Sequence, residues 1–521
     1  MKDEDQPPLA DEQRPAAQTA APVGKSHIAG GAATVALSRL GAAIEVITQP
    51  VYTWLFGLTG YGVYIVAWSA VNFIENVVDL AFTSVLQRLV PRAPDEERAH
   101  AFLKLALLIG VIPSIVIALA ASLAALPLSA MLNAAARDRA HLALAIAIFA
   151  WALPLWAFIE IATSAVRARH AFGPEVRLRL FWEQLLRLLL AVVGYVSGFG
   201  LTGLFAAHVL SLAATAFLSL RLIGRYYDLR LLWQVRTSAA DVRALLSYGM
   251  ALLPGNIIRR ALADLPAVVL NAMLPGAAGA SAAALYGIAR KLSAIPQLVR
   301  QTFSYVMAPL VATQARHDVK AIQPLYAFAT RLSAAVVIPL SMAMMLLGAP
   351  ILTLFAPGAA QALPLLIVLV GARMIEAIIG PAGPVLDILG HRRWLLVNSG
   401  SGLLTWLILS SLLVQPFAGM GMAIAVAGGI LIPALLALIQ LRIANRLDAL
   451  SGRLGIGVGV GILAAILFAM AKSLAAPFGA WAQAMIVCML LPPALWAGLR
   501  FGLKRSDREA LGRPAARLRL I

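Results

Sequence analysis

Loops of one parity along this chain carry almost no Lys or Arg, whereas those of the other parity are crowded with both. Between them run about fourteen apolar stretches, each near the roughly 20 residues a helix needs to cross the hydrocarbon core. Such a chain is expected to be all-α, a polytopic helical membrane protein with both termini cytoplasmic by the positive-inside rule. Hydrophobic residues make up 61% of 521 and charged residues 13%, which excludes an ordinary soluble domain. Strand alternation is missing, which excludes an outer-membrane barrel. The net charge of +18 follows from the basic loops, so no nucleic-acid partner is needed to explain it. Cys488 is the single cysteine and lies in an apolar run, so it reads as a packing residue.

Residues 1–26 are rich in Pro, Gln, Ala and acidic side chains and read as a disordered cytoplasmic tail. Within it, Gly24-Lys25-Ser26 lacks the first glycine of a phosphate-binding loop, since Thr19 stands there, so no nucleotide or other cofactor is expected. Residues 27–223 form a first lobe with spans at 32–56, 62–86, 102–126, 142–166, 181–198 and 201–223. A basic cytoplasmic linker, 224–246, separates it from a second lobe, 247–441, with spans at 247–274, 285–312, 326–348, 363–386, 394–414 and 420–441. Two further spans, 456–474 and 482–503, complete 442–503, and 504–521 is a basic cytoplasmic tail. Arg88, Arg92 and Arg98 obey the charge rule, and Arg137 with Arg139 on an outer loop is its main exception.

Three stretches carry a family resemblance. Leu58-Thr59-Gly60-Tyr61-Gly62-Val63-Tyr64 enters the second span, and Leu285-Tyr286-Gly287-Ile288-Ala289-Arg290-Lys291-Leu292 runs on to Ala308-Pro309-Leu310. The third is Ala349-Pro350-Ile351-Leu352-Thr353-Leu354-Phe355, followed by Leu389-Gly390-His391-Arg392-Arg393. In order and spacing the chain resembles the oligosaccharide flippases of the multidrug, oligosaccharidyl-lipid and polysaccharide exporter superfamily. The resemblance implies two six-helix lobes around a central cavity, with the last two helices forming an outside groove. It implies transport of a polyprenyl-diphosphate-linked oligosaccharide for surface polysaccharide synthesis at the cell inner membrane, with membrane lipid and a polysaccharide polymerase complex as partners. A cation-coupled multidrug antiporter is the alternative within the superfamily. A polymerase or ligase is disfavoured by short outer loops poor in carboxylates and histidine.

Ionisable side chains at bilayer depth cost about 2.5–3.5 kcal/mol each, so those present should face a cavity or a partner. Asn72, Glu75, Asn76 and Asp79 fall at i, i+3, i+4 and i+7, on one helical face. That stripe reads either as a cavity wall with a proton or sodium site at Glu75 and Asp79, or as a hydrogen-bonded helix seam. Asn256, Arg259, Arg260 and Asp264 follow Pro254-Gly255 in the seventh span. A guanidinium in a low-dielectric cavity matches a diphosphate bidentately. Arg260 and Asp264 are spaced to neutralise each other, leaving Arg259 as the stronger anion ligand. Arg300, Arg373 with Glu376, and Arg39 with Glu45 complete the candidate cavity residues. Arg290 and Lys291 are expected to snorkel to the outer surface, Glu160, Glu183, Arg187 and Arg331 to sit at the cytoplasmic interface, with Glu183 and Arg187 spaced to form an i, i+4 pair, and His208 to be a packed residue.

Overall fold

The computed structural model describes residues 25–171, 173–315, 319–379, 382–448, 452–510 and 519, excluding the side chains of 25–47, 176, 299–310, 312–315, 392, 452 and 510. Among these residues the secondary structure is helical, and each expected span is built mainly of helix.

Helix α1 (Lys25–Val78) joins the first two spans, because the expected outer loop at 57–61 collapses to one turn at Gly57. Its φ of 75° is open to glycine and costly for other residues. Arg137 Nη2 lies where a Cβ on Gly57 would stand and donates to Phe56 O at 3.3 Å. The guanidinium therefore caps the negative, carbonyl end of the first half of α1. This local role accounts for Arg137 as an exception to the charge rule.

The second span is expected to run straight to Leu86, but it breaks before α2 (Phe82–Leu89). Leu80 and Ala81 both take left-handed φ values, 48° and 60°. Asp79 Oδ2 bridges the break, accepting from Thr83 Oγ1 at 3.3 Å. Helix α3 (Glu96–Leu123) starts at Asp95, whose side chain accepts from Arg98 N–H at 2.7 Å. The fourth span is split into α4 (Leu142–Phe149) and α5 (Ala152–Ala168). A wide π turn, Val176–Trp182, feeds α6 (Glu183–Val196), so residues expected in a loop are wound into the bundle. Helix α7 (Gly200–Tyr226) crosses α6 where Gly194 and Gly203 let the two backbones touch.

Next come α8 (Ala239–Met273), opened by a reciprocal Ser238–Asp241 capping box, and α9 (Gly276–Ala315). After α10 (Gln323–Thr353), α11 (Leu363–Ile379) and α12 (Ala382–Ile388), α13 (Arg392–Asn445) merges two spans across a sharp turn at Ala418. Helices α14 (Gly452–Leu474), α15 (Ala480–Gly502) and the short α16 (Arg505–Ala510) end the described fold. Nine segments among the described residues are long and apolar enough to cross a membrane. Helices α8 and α9 are not among them; they carry Arg259, Arg260 and Asp264, and Arg290 and Lys291.

The two halves of the sequence are tied at both ends of the bundle. At the end poor in basic residues, Asn133 and Asn271 exchange three hydrogen bonds of 2.7–3.0 Å. Nearby, Gly62 on α1 packs directly on the Ala280 carbonyl of α9. Any side chain there must displace backbone, so Gly62→Val is expected to cost about 1–3 kcal/mol, read as a lowered unfolding midpoint in detergent. At the basic end, Arg98 Nε lies 2.9 Å from Asp241 Oδ1. Burial pushes the Asp241 carboxyl up, but hydrogen bonds from Ser238 and Arg98 more than reverse this and hold it below the ordinary aspartate range. Its stabilisation is therefore present above the ordinary value near 3.9 and is lost as pH falls through the lowered one. With Arg98 half in solvent, Asp241→Asn is expected to cost only about 1 kcal/mol at neutral pH. Unfolding midpoints of wild type and variant should converge on acidification.

Arg331 lies at the same end. It is buried and forms a bidentate pair with Asp507 of α16, Nε–Oδ2 at 2.8 Å and Nη2–Oδ1 at 2.9 Å. Asp507 Oδ2 also accepts the Lys504 N–H at 3.0 Å, so one carboxylate both starts α16 and pins it to α10.

Candidate functional site

A cavity of about 910 Å³ opens toward the basic end between the halves of the sequence, with Ser84, Val85 and Arg88 of α2 facing Tyr248, Asn256 and Arg259 of α8. Arg259 is exposed to it, and its guanidinium donates to Asn256 Oδ1 one turn earlier. Two residues singled out by sequence are thus brought together on this wall. Arg88, read only as a topological charge, is a third wall residue, its guanidinium 4.8 Å from the centre of the Tyr248 ring. Asp387 of α12 faces the same space.

Arg260 lies beside Arg259 in sequence but serves a different contact. Its Nη1 is 4.0 Å from Asp264 Oδ2, and Arg290 Nη1 is 3.6 Å from Asp264 Oδ1. Asp264 is 3% exposed, so two guanidiniums flank one buried carboxylate. Arg290 is therefore directed at a tertiary partner on α8. Arg373 donates to Glu376 at 2.9 Å, both on α11, and neither lines the large cavity. Arg39, Glu45 and Arg300 lie outside the described side chains.

The acidic stripe of α1 is buried. Asn76 Nδ2 donates to Glu75 Oε2 at 3.0 Å and to Asn72 O at 2.9 Å, which joins three of its members. Glu75 and Asp79 are 2% and 4% exposed, yet Glu75 Oε1 and Asp79 Oδ1 have no hydrogen-bond partner among the described residues. Glu160, Arg179 and Arg260 are within electrostatic reach of Glu75. A buried oxygen left without a donor is costly, and a bound proton or small cation relieves that cost.

A second cavity, about 260 Å³, lies against α1, α5 and α6. Tyr61, Tyr64 and Trp68 reach it from the second half of α1 at i, i+3 and i+7, joined by Tyr52 and by Trp156. Glu183 and Arg187, expected at an interface, are buried on its wall and paired with each other at i, i+4. Glu160 is likewise held inside, by Arg179 at 2.6 and 3.1 Å. Lys291 also lines this cavity rather than reaching an outer surface. His208 is a packed residue, with Nδ1 2.9 Å from Tyr64 Oη and its ring centre 4.4 Å from that of Trp68.

Residues 28–314 match the family described as polysaccharide biosynthesis protein. No curated protein matches the sequence. Among solved structures, the chain is similar to the lipid II flippase MurJ in its inward closed conformation, with a TM-score of 0.68 at 11% identity over 90% of this chain and 98% of that one. It is also similar to an inward-facing multidrug resistance MATE family transporter of the MOP superfamily, with a TM-score of 0.62 at 14% identity over 78% and 93%. A MOP superfamily transporter from Pyrococcus furiosus gives 0.52 at 16% over 79% and 92%. At these identities the likeness is one of fold, that of a polytopic helical membrane transporter.

Proposed function

We propose, from the premise that this chain belongs to the polysaccharide biosynthesis protein family, that it moves a polyprenyl-diphosphate-linked oligosaccharide from the cytoplasmic to the periplasmic leaflet of the inner membrane. The observation that carries the reading is Arg259, braced by Asn256 on the wall of a cavity of about 910 Å³ at the basic end. By the positive-inside rule that end is cytoplasmic, where a lipid-linked precursor is assembled. The diphosphate docks on Arg259, the saccharide occupies the polar interior, and the prenyl chain stays in lipid. Alternating access then requires the Arg98–Asp241 and Asn133–Asn271 ties to open in turn. Glu75 and Asp79, with their unpartnered oxygens, supply the ion-coupling step.

The test is periplasmic exposure of the lipid-linked glycan in cells lacking the protein, with and without restoration of the wild type. Loss of exposure, reversed by wild type, supports the reading. Exposure that persists without the protein sinks it. The same carboxylates favour a second reading, cation-coupled drug antiport, which efflux of a cationic dye dependent on Glu75 and Asp79 would then support.

A further inference from the structure

The cavity of about 260 Å³ has Arg179 on its wall, not Arg259. Glu75 is buried and lies within electrostatic reach of both Arg179 and Arg260. The smaller space suits neither other part of the proposed ligand. A prenyl chain would bury the charges of Glu183 and Arg187 against hydrocarbon, and a diphosphate would find the guanidiniums of this wall already engaged by carboxylates, Arg179 by Glu160 and Glu175 and Arg187 by Glu183. The Tyr52 hydroxyl is buried on this wall without a hydrogen-bond partner among the described residues. Such a group costs about 1–3 kcal/mol unless a polar guest satisfies it.

The remaining wall alternates aromatic rings with amide, hydroxyl and charged groups. A pyranose ring is complementary to both: its C–H faces lie against aromatic rings, and its hydroxyl rim both donates and accepts. The volume is below the roughly 300 Å³ at which sites for drug-sized ligands begin, so it takes one ring and not a whole repeat unit. We infer that this cavity is a saccharide subsite that holds one pyranose ring of the transported glycolipid, with Tyr52 Oη as a hydrogen-bonding contact. The inference rests on the transport reading above.

The test titrates purified protein, in a detergent without a sugar headgroup, with polyprenyl diphosphate and with the same carrier bearing its oligosaccharide, following tryptophan fluorescence. Tyr52→Phe keeps the ring and removes only the hydroxyl. It is expected to weaken binding of the glycosylated carrier by about fivefold to tenfold and leave the bare carrier unchanged. Arg259→Ala should weaken both. Equal weakening of both ligands by Tyr52→Phe, or of neither, overturns the subsite. If the wild type binds neither lipid, the transport reading fails, and the soluble oligosaccharide alone becomes the deciding probe. A saturable signal that Tyr52→Phe abolishes then sustains a saccharide site, and no signal ends it.

Discussion

Arg259→Ala is expected to reduce glycolipid translocation by about a hundredfold, while Arg259→Lys retains a minor part of the activity. A charge-assisted, bidentate contact with a phosphate is roughly twice as strong as a neutral hydrogen bond, and its loss in a low-dielectric cavity is worth about 2–3 kcal/mol. Lysine keeps the charge but presents a point cation without the planar fork. Asn256 accepts one guanidinium N–H, which leaves the other donors for the anion. The measurement is periplasmic exposure of the lipid-linked glycan, normalised to membrane-inserted protein. Wild-type exposure with Arg259→Ala would remove the anion role. Arg260→Ala is the informative companion, because Asp264 keeps Arg290 as a partner at 3.6 Å, so a smaller loss is expected.

The second large effect concerns folding. Arg331→Met leaves the Asp507 carboxylate buried with one backbone donor, and breaking a buried pair in this way costs about 3–5 kcal/mol. The unfolding midpoint in detergent should fall, and trypsin should reach Arg505 and Arg508 as α16 detaches. Adding Asp507→Asn removes the stranded charge while an amide oxygen still accepts the Lys504 N–H. The double variant is therefore expected to recover most of the loss. If the single variant matches wild type in both assays, α16 is not held by this pair.

Most spans were legible because lipid demands continuous apolarity, whereas α8 and α9, with their charged side chains, fall outside the segments that meet it. Turns were less so. Nothing in Leu80-Ala81 or Ala418 marks a left-handed backbone, and the expected outer loop at 57–61 shrank because Arg137, eighty residues away, closes the turn at Gly57. The spacing of Arg260 and Asp264 singled out Arg259 as the anion candidate, whereas the Arg290–Asp264 contact depends on how α8 and α9 meet. The triad Tyr61, Tyr64 and Trp68 was present at helical spacing, but such a stripe is indistinguishable from ordinary core until Tyr52 and Trp156 arrive from other segments. Glu183 and Arg187 showed their mutual spacing in sequence but not their burial, which depends on how α6 packs beside α1 and α5.

The break at Leu80 and Ala81 has an energetic meaning of its own. Two consecutive left-handed residues without glycine cost about 2–4 kcal/mol relative to continuous helix. The Leu80 carbonyl is pressed against Gly249 of α8, and Asp79 holds Thr83 across the gap. Those contacts keep the segment bent against its own preference. A single charge crossing a 100 mV potential yields about 2.3 kcal/mol, so the strain stored here and the driving force available to a membrane ion are of one size. The bend therefore costs about as much as the passage of one elementary charge across that potential supplies.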